Sequence, residues 1–285
     1  MTFGGLASLG LSTLSSAAPL GLAAMGGLAT DYSGSLSVAL EGCMLVGAFS
    51  AAAVARVSGD PALGMLAGAL AGLLLSSLVG ALAIGLKADV FVAALAADIL
   101  APGAVSVVSQ AAYGTKGVLP AEALRAGEGE ILALTALPAL LLALFLARSV
   151  FGLRLRVAGE GDEVAKAAGV ASGPYRFAAH LIAGGSSGLA GAALAAGIGA
   201  YVPGMSTGRG WIALVAVFLG GRTPGGTLLA CLLFGLLFAL ANIAQGIGLP
   251  GSSSGAELLQ AVPYAVTAIA LVAFKRAKRG RERSY

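Results

Sequence analysis

Charge is scarce in this chain. Asp, Glu, Lys and Arg make up 11% of its 285 residues, against about 25% in soluble domains. That excludes an ordinary charged shell around an aqueous core. There is one histidine, His180, and there are two cysteines, Cys43 and Cys231. A lone imidazole at a membrane boundary, with no Cys or carboxylate cluster beside it, makes a poor metal site and gives no Ser–His–Asp arrangement. The two thiols fall in separate apolar stretches, which argues for packing rather than a disulfide framework. No Gly-Lys pair occurs, so the chain has no Walker A loop. No basic segment precedes the first apolar stretch, so no secretory signal is expected. A net charge of +4, not gathered into a patch, gives no reason to expect nucleic acid as a partner.

Apolar and small residues fill the space. The hydrophobic fraction is 58% with 44 glycines, and the mean hydropathy is +0.94. Crossing about 30 Å of hydrocarbon takes roughly 20 apolar residues, and each crossing must be helical because lipid offers the backbone no partners. The sequence predicts an all-α polytopic membrane protein of about nine spans: 3–28, 36–56, 61–86, 90–110, 131–148, 177–199, 201–221, 225–248 and 258–274. It forms a single permease-like domain over 1–285. The many Gly, Ala and Ser residues suit close helix–helix approach. GGSSGLAG at 184–191 lies inside a span and reads as packing, not as a phosphate cradle.

Basic residues set the orientation. Arg148, Arg154, Arg156, Lys166 and Arg176 flank or occupy a polar strip at 151–176. Lys275, Arg276, Lys278, Arg279, Arg281 and Arg283 form a basic tail at 275–285. Both regions are expected to be cytoplasmic, the tail as an anchor near anionic headgroups. Then 111–130 becomes the main external loop, Arg222 faces inside and the N-terminus lies outside.

Two stretches resemble each other. SGDPALGMLAGALAGLLLSSL from Ser58 and RTPGGTLLACLLFGLLFAL from Arg222 both open on a polar residue and a proline, Asp60-Pro61 and Thr223-Pro224. In the orientation above they run in opposite directions. This predicts an inverted internal repeat, the device that many transporters use for alternating access; common Gly/Ala/Leu composition is the bland alternative. TDYSGS at 30–35 and VPGMSTGRG at 202–210 precede the spans that lead into these helices. They read either as interfacial turns or as breaks that aim helix N-termini into the membrane.

The polar strip is the expected docking place for a soluble partner. Around Gly159–Gly169, Val164, Ala165 and Ala168 recur at helical spacing, which predicts a short amphipathic helix; a solvated loop is the alternative. Candidate coupling residues are Arg156, Gly159, Glu160, Gly161, Val164, Ala165, Ala168 and Gly169. Candidate pathway residues are Glu41, Phe91, Asp98, Trp211, Asn242 and Gln245. Carboxylates inside a span are costly unless paired or near a helix N-terminus. Amides and acids can read hydroxyls or nucleobase edges, but they also hold helices together in membranes. Phe91 and Trp211 suit either stacking on a planar solute or anchoring at the interface.

Three ordered blocks carry a resemblance: LATDYSGSLSVALEGCMLVGAF at 28–49, GLRLRVAGEGDEVAKAAGV at 152–170 and TGRGWIALVAVFLGGRTPGG at 207–226. Together they resemble bacterial ABC importer permeases for nucleosides and simple sugars, relatives of branched-chain amino acid and ribose permeases. Ser37-Val38-Ala39 departs from that family's Asn-Ile-Gly, and Asp98 stands where Asn is common; these departures bear on the substrate. The resemblance implies a type II importer permease in the bacterial inner membrane, paired with a second, nonidentical permease subunit. It further implies a separate cytoplasmic ATPase carrying ATP and Mg, so no cofactor in this chain, and an external binding protein or lipoprotein that delivers a small polar solute. A branched-chain amino acid or sugar permease is the alternative. A stand-alone secondary transporter or channel is the reading from another class.

Overall fold

A computed structural model describes residues 3–246, with side chains over 9–242. Ten helices occur among them: α1 (Phe3–Tyr32), α2 (Leu40–Ser58), α3 (Pro61–Gly80), α4 (Val90–Tyr113), α5 (Glu128–Arg148), α6 (Val150–Gly159), α7 (Asp162–Ala167), α8 (Ser172–Ile198), α9 (Arg209–Leu219) and α10 (Pro224–Gly246). Seven of them, α1–α5, α8 and α10, are long and apolar enough to cross a membrane. The expected span at 201–221 is not one helix. A two-residue strand, β2 (Ala200–Tyr201), pairs antiparallel with β1 (Leu119–Pro120). A non-helical leg follows to Gly208, and α9 has only eleven residues. Pro203 and positive-φ conformations at Gly204 and Gly208 keep the leg out of a helix. The expected span at 258–274 and the basic tail lie outside the described residues.

The two ends of the bundle are chemically distinct. At one end, Arg56 of α2 donates to the Pro120 carbonyl at 3.0 Å, and the Ala121 and Ala126 N–H groups bond to the last carbonyls around α8. At the other end lie α6, α7, Arg148, Arg176 and the loop carrying Arg222. The excess of Lys and Arg there makes it the cytoplasmic end.

The inverted repeat is present. In its first copy α1 runs inward, an extended leg at 33–39 re-enters, and α2 runs outward. In the second, α8 runs outward, the leg at 202–208 re-enters, and α9 runs inward. Each then turns into an antiparallel helix with a local cap and proline at its first position. Asp60 Oδ1 accepts from the Ala62 N–H before α3, and Thr223 Oγ1 accepts from the Gly226 N–H before α10. The copies cross-pack, α3 against α8 and α10 against α1. Glycines carry the first contact: a Cβ on Gly72 would run into the Gly184 carbonyl, and one on Gly188 into that of Gly68. With so little side chain between them, the backbones approach closely enough for dispersion to replace a hydrophobic drive that lipid cannot supply. The stretch at 184–191 is packing, as its sequence predicts.

Candidate functional site

The two re-entrant legs end face to face. α2 starts at Leu40 and α9 at Arg209, and a Cβ on Gly210 would meet the N, Cα and Cβ of Glu41 at 2.5–2.6 Å. Thus two helix N-termini, with their orphan N–H groups and positive dipole ends, meet deep inside the bundle. Neither has a cap of its own, since Ala39 and Gly208 make no side-chain cap hydrogen bond. Carboxylates from elsewhere take that place. Asp98 Oδ1 of α4 accepts from the Gly42 N–H at the start of α2, and the Gly208 and Trp211 N–H groups lie against the Glu41 carboxylate at the start of α9. Pro102, four residues past Asp98, has no N–H for the Asp98 carbonyl, loosening α4 just where it meets α2.

Magnitudes favour a structural share in both acids. Keeping a carboxylate at mid-membrane costs about 2.5–3.5 kcal/mol on insertion scales. A cap returns about 1–2 kcal/mol, and a partly buried charge at a helix terminus up to about 2. For Asp98, whose Oδ1 is taken by the Gly42 N–H, these are of one order. Glu41 differs, because its Oε2 is buried without a hydrogen-bond partner among the described residues.

Glu41 forms the floor of a cavity of about 230 Å³ bounded by α2, the outer half of α4 and the leg at 201–207. Its wall includes Ser106, Ser109, Ser206 and Thr207, with Lys116 in the loop beyond α4. Ser109 is 1% exposed and its Oγ has no hydrogen-bond partner among the described residues.

At the cytoplasmic end a second, polar cavity of about 500 Å³ is lined by Asp31, Tyr32, Gly34, Arg156, Glu160 and Arg222, among others. Arg156 lies 4.3 Å over the Tyr32 ring, Arg222 pairs with Asp31 at 3.4 Å, and the Tyr32 hydroxyl donates to the Arg222 carbonyl at 3.0 Å. The foot of the first leg is gripped residue by residue. Arg176 donates to the Ser33 carbonyl at 3.3 Å and to the Ala158 carbonyl at 3.0 Å. Gly34, at φ +70°, sits backbone to backbone on Gly159, and Ser35 Oγ is 2.9 Å from His180 Nε2. His180 is fully buried at this cytoplasmic end of the bundle. Asp162 is held below the usual carboxylate range by its hydrogen bond from Ser172 and by Arg176, with which it pairs at 3.0 Å.

The polar strip folds as α6 and the six-residue α7, not as one helix over Gly159–Gly169. Ala165 is buried, whereas Val164 and Ala168 face solvent, as do Val150 and Leu153 of α6. Gly159 and Arg156 are engaged with α1, and Glu160, Gly161 and Gly169 lie at the helix ends. Of the pathway candidates, the structure brings Glu41 and Asp98 together at the paired N-termini; Trp211 contributes its backbone N–H there, while its side chain is exposed. Phe91 lies at the inner start of α4, half exposed, and Asn242 is exposed near the outer end of α10. The side chain of Gln245 lies outside the described residues. Sequence reasoning missed Ser109, for which the only available signal is its i, i+3 spacing from Ser106.

The family model for the permease component of the branched-chain amino acid transport system matches residues 10–271. The chain belongs to this family. Among curated proteins it is 32% identical to the nucleoside ABC transporter permease protein NupC of Lactococcus lactis, covering 90% of this chain and 88% of the relative. It is also 32% identical to the guanosine ABC transporter permease protein NupQ of Bacillus subtilis, covering 92% and 90%. A candidate glucose ABC transporter permease of Haloferax volcanii, TsgC13, is 33% identical over 84% of this chain and 78% of its own length. No solved structure matches the chain. This is a permease subunit of an ABC importer and a multi-pass protein of the cell membrane.

Proposed function

We propose that this permease forms the pathway for a nucleoside or a related sugar-bearing solute, together with a second permease subunit, a separate cytoplasmic ATPase that holds ATP and Mg, and an external binding protein. The relatives named for guanosine, nucleosides and glucose support the solute class. The observation that carries the coupling is the grip of α6 and α8 on Ser33–Ser35, because that leg leads directly to the start of α2 and to Glu41. The ATPase docks on the exposed face of α6 and α7, around Val150, Leu153 and Val164. A push on this face moves Gly159 and Arg176, hence the leg, hence the floor of the outer cavity.

Reconstitution tests this reading. The chain alone should give no concentrative uptake; with its second permease, ATPase and binding protein, uptake should appear and require hydrolysable ATP. Concentrative uptake by the isolated chain on a proton or sodium gradient would overturn it in favour of a secondary transporter.

A further inference from the structure

The outer cavity combines two features that packing does not explain. One is its hydroxyl lining. The other is that, of five buried side-chain atoms without a hydrogen-bond partner among the described residues, two, Ser109 Oγ and Glu41 Oε2, belong to residues that line it. A buried donor or acceptor left unsatisfied costs about 1–3 kcal/mol, and natural structures seldom keep such groups without a reason. Here two of them border one space. Ser109 is 1% exposed, so a solute reaches its hydroxyl only as the wall of that space gives way.

The chemistry of the wall selects among solutes. At about 230 Å³ the cavity is smaller than the roughly 300–1,000 Å³ pockets that enclose drug-sized ligands. It admits one ring, not a whole nucleoside. Its charges do not suit an α-amino acid, whose ammonium and carboxylate sit on one carbon. Glu41 forms the floor near Pro102, whereas Lys116 lies beyond the far end of α4. The rise from Pro102 to Ser109 alone is about 10 Å at 1.5 Å per residue. A neutral ring bearing several hydroxyls fits the arrangement, donating to the Glu41 carboxylate and exchanging hydrogen bonds with Ser109 and Ser106.

We propose that this cavity is a solute site within the single permease subunit, that it holds the sugar ring of the transported molecule, free or as the ribose of a nucleoside, and that Glu41 and Ser109 are its direct partners. The site rests on the permease reading above. It places the first contact after release from the binding protein inside one subunit, over the paired helix N-termini, rather than only between two subunits.

The test uses the assembled transporter, with its binding protein, in proteoliposomes. Ser109→Cys is exposed to a small hydrophilic methanethiosulfonate from outside, and Ser106→Cys serves as a second reporter on the same wall. The native Cys43 and Cys231 are buried, so the unsubstituted chain is the unlabelled control. Guanosine, cytidine, ribose, glucose and leucine are the probes. Each reporter should be labelled, and any sugar-bearing probe that is taken up should slow labelling at least about fivefold, with leucine without effect. In parallel, Ser109→Ala should raise the uptake KM about two- to tenfold, the range for one neutral hydrogen bond. No labelling at either position, labelling unchanged by a sugar-bearing solute that is taken up, or protection by leucine would each overturn the site. Failure to take up any of the probes with ATP present would instead count against the solute class proposed above.

Discussion

Replacing Gly159 by alanine tests the route from the polar strip to the mid-membrane site. A Cβ at this position would lie well inside the 3.0 Å below which such contacts essentially never occur, against the Tyr32 carbonyl oxygen, and 3.1 Å from the Gly34 nitrogen. Both obstacles are backbone, so no rotamer change relieves them. The end of α6 must withdraw by about 1 Å to restore an ordinary contact, at a cost of about 1–3 kcal/mol typical of overpacking. The clash is at the turn that starts the 33–39 leg, so the strain loosens that joint and leaves the α3–α8 and α1–α10 seams intact.

If the joint carries coupling, a loss of 1–3 kcal/mol corresponds to about 5- to 150-fold in a linkage between two sites. Solute taken up per ATP hydrolysed by the assembled transporter should therefore fall at least about fivefold in Gly159→Ala, with the ATPase still turning over. Gly173→Ala, where a Cβ would find only Ile84 Cγ2 at 3.8 Å, is the matched control and should be neutral. Arg176→Gln, which weakens the ties to Ser33 and Ala158 without adding volume, should uncouple in the same direction. Normal stoichiometry in both Gly159→Ala and Arg176→Gln, with normal accumulation in the membrane, would refute the transmission route.

Asp98→Asn keeps an acceptor oxygen for the Gly42 N–H and should transport close to the unsubstituted chain, whereas Asp98→Ala should lose about 1–2 kcal/mol of cap and lower both Tm and uptake; equal defects in the two variants would show that charge, not capping, is what Asp98 supplies. Asp162 has its pKa lowered in the folded protein by Ser172 and Arg176. Its contribution is thus fully present above the usual carboxylate pKa of 3.8 and fades only as pH falls through the lowered value. Uptake per ATP should stay flat from neutral to mildly acid pH, and an acid-side drop in that range that disappears in Asp162→Asn would contradict the assignment.

The parts of this fold legible in the sequence are those that local chemistry fixes. Asp60-Pro61 and Thr223-Pro224 announce α3 and α10 because cap and proline act within one turn, and the inverted pairing follows from them. The segment at 201–221 misleads because the apolar run of α9, only eleven residues, merges in any span-sized window with the leg before it. Pro203, Gly204 and Gly208 mark the break; the reading of 202–210 as a break allows it, and the span assignment passes over it. Arg156 looks like a surface charge beside Glu160, yet it lies over Tyr32; charge patterning along one strip does not tell which side faces inward. For Ser109 the one local signal, its spacing from Ser106, is too weak to single it out. Its hydroxyl matters only because the 201–207 leg, some ninety residues further on, closes the wall opposite it.

The inverted repeat supplies the geometry that the proposed coupling requires. Each copy contributes one helix, the span-length α2 and the eleven-residue α9, and their N-termini meet at Glu41 and Gly210. The segments that lead into α2 and out of α9 are moored at the cytoplasmic end to the same place. The leg into α2 begins at Ser33–Ser35, held by Gly159, Arg176 and His180. The exit from α9 passes through Arg222, in a left-handed turn at φ +57°, to Asp31 and Tyr32. Tyr32 in turn lies under Arg156 of α6. On the proposed coupling, a displacement of α6 acts on both helices through the last turn of α1. A compliant loop at either mooring would absorb the motion; the backbone contact of Gly34 with Gly159 and the buried Ser35–His180 tie favour transmission at the first, because packed joints shift between discrete arrangements rather than stretch. If the outer cavity holds solute as proposed, its floor is the point where the two arms meet, and a displacement of the strip that reaches both arms must also move that floor.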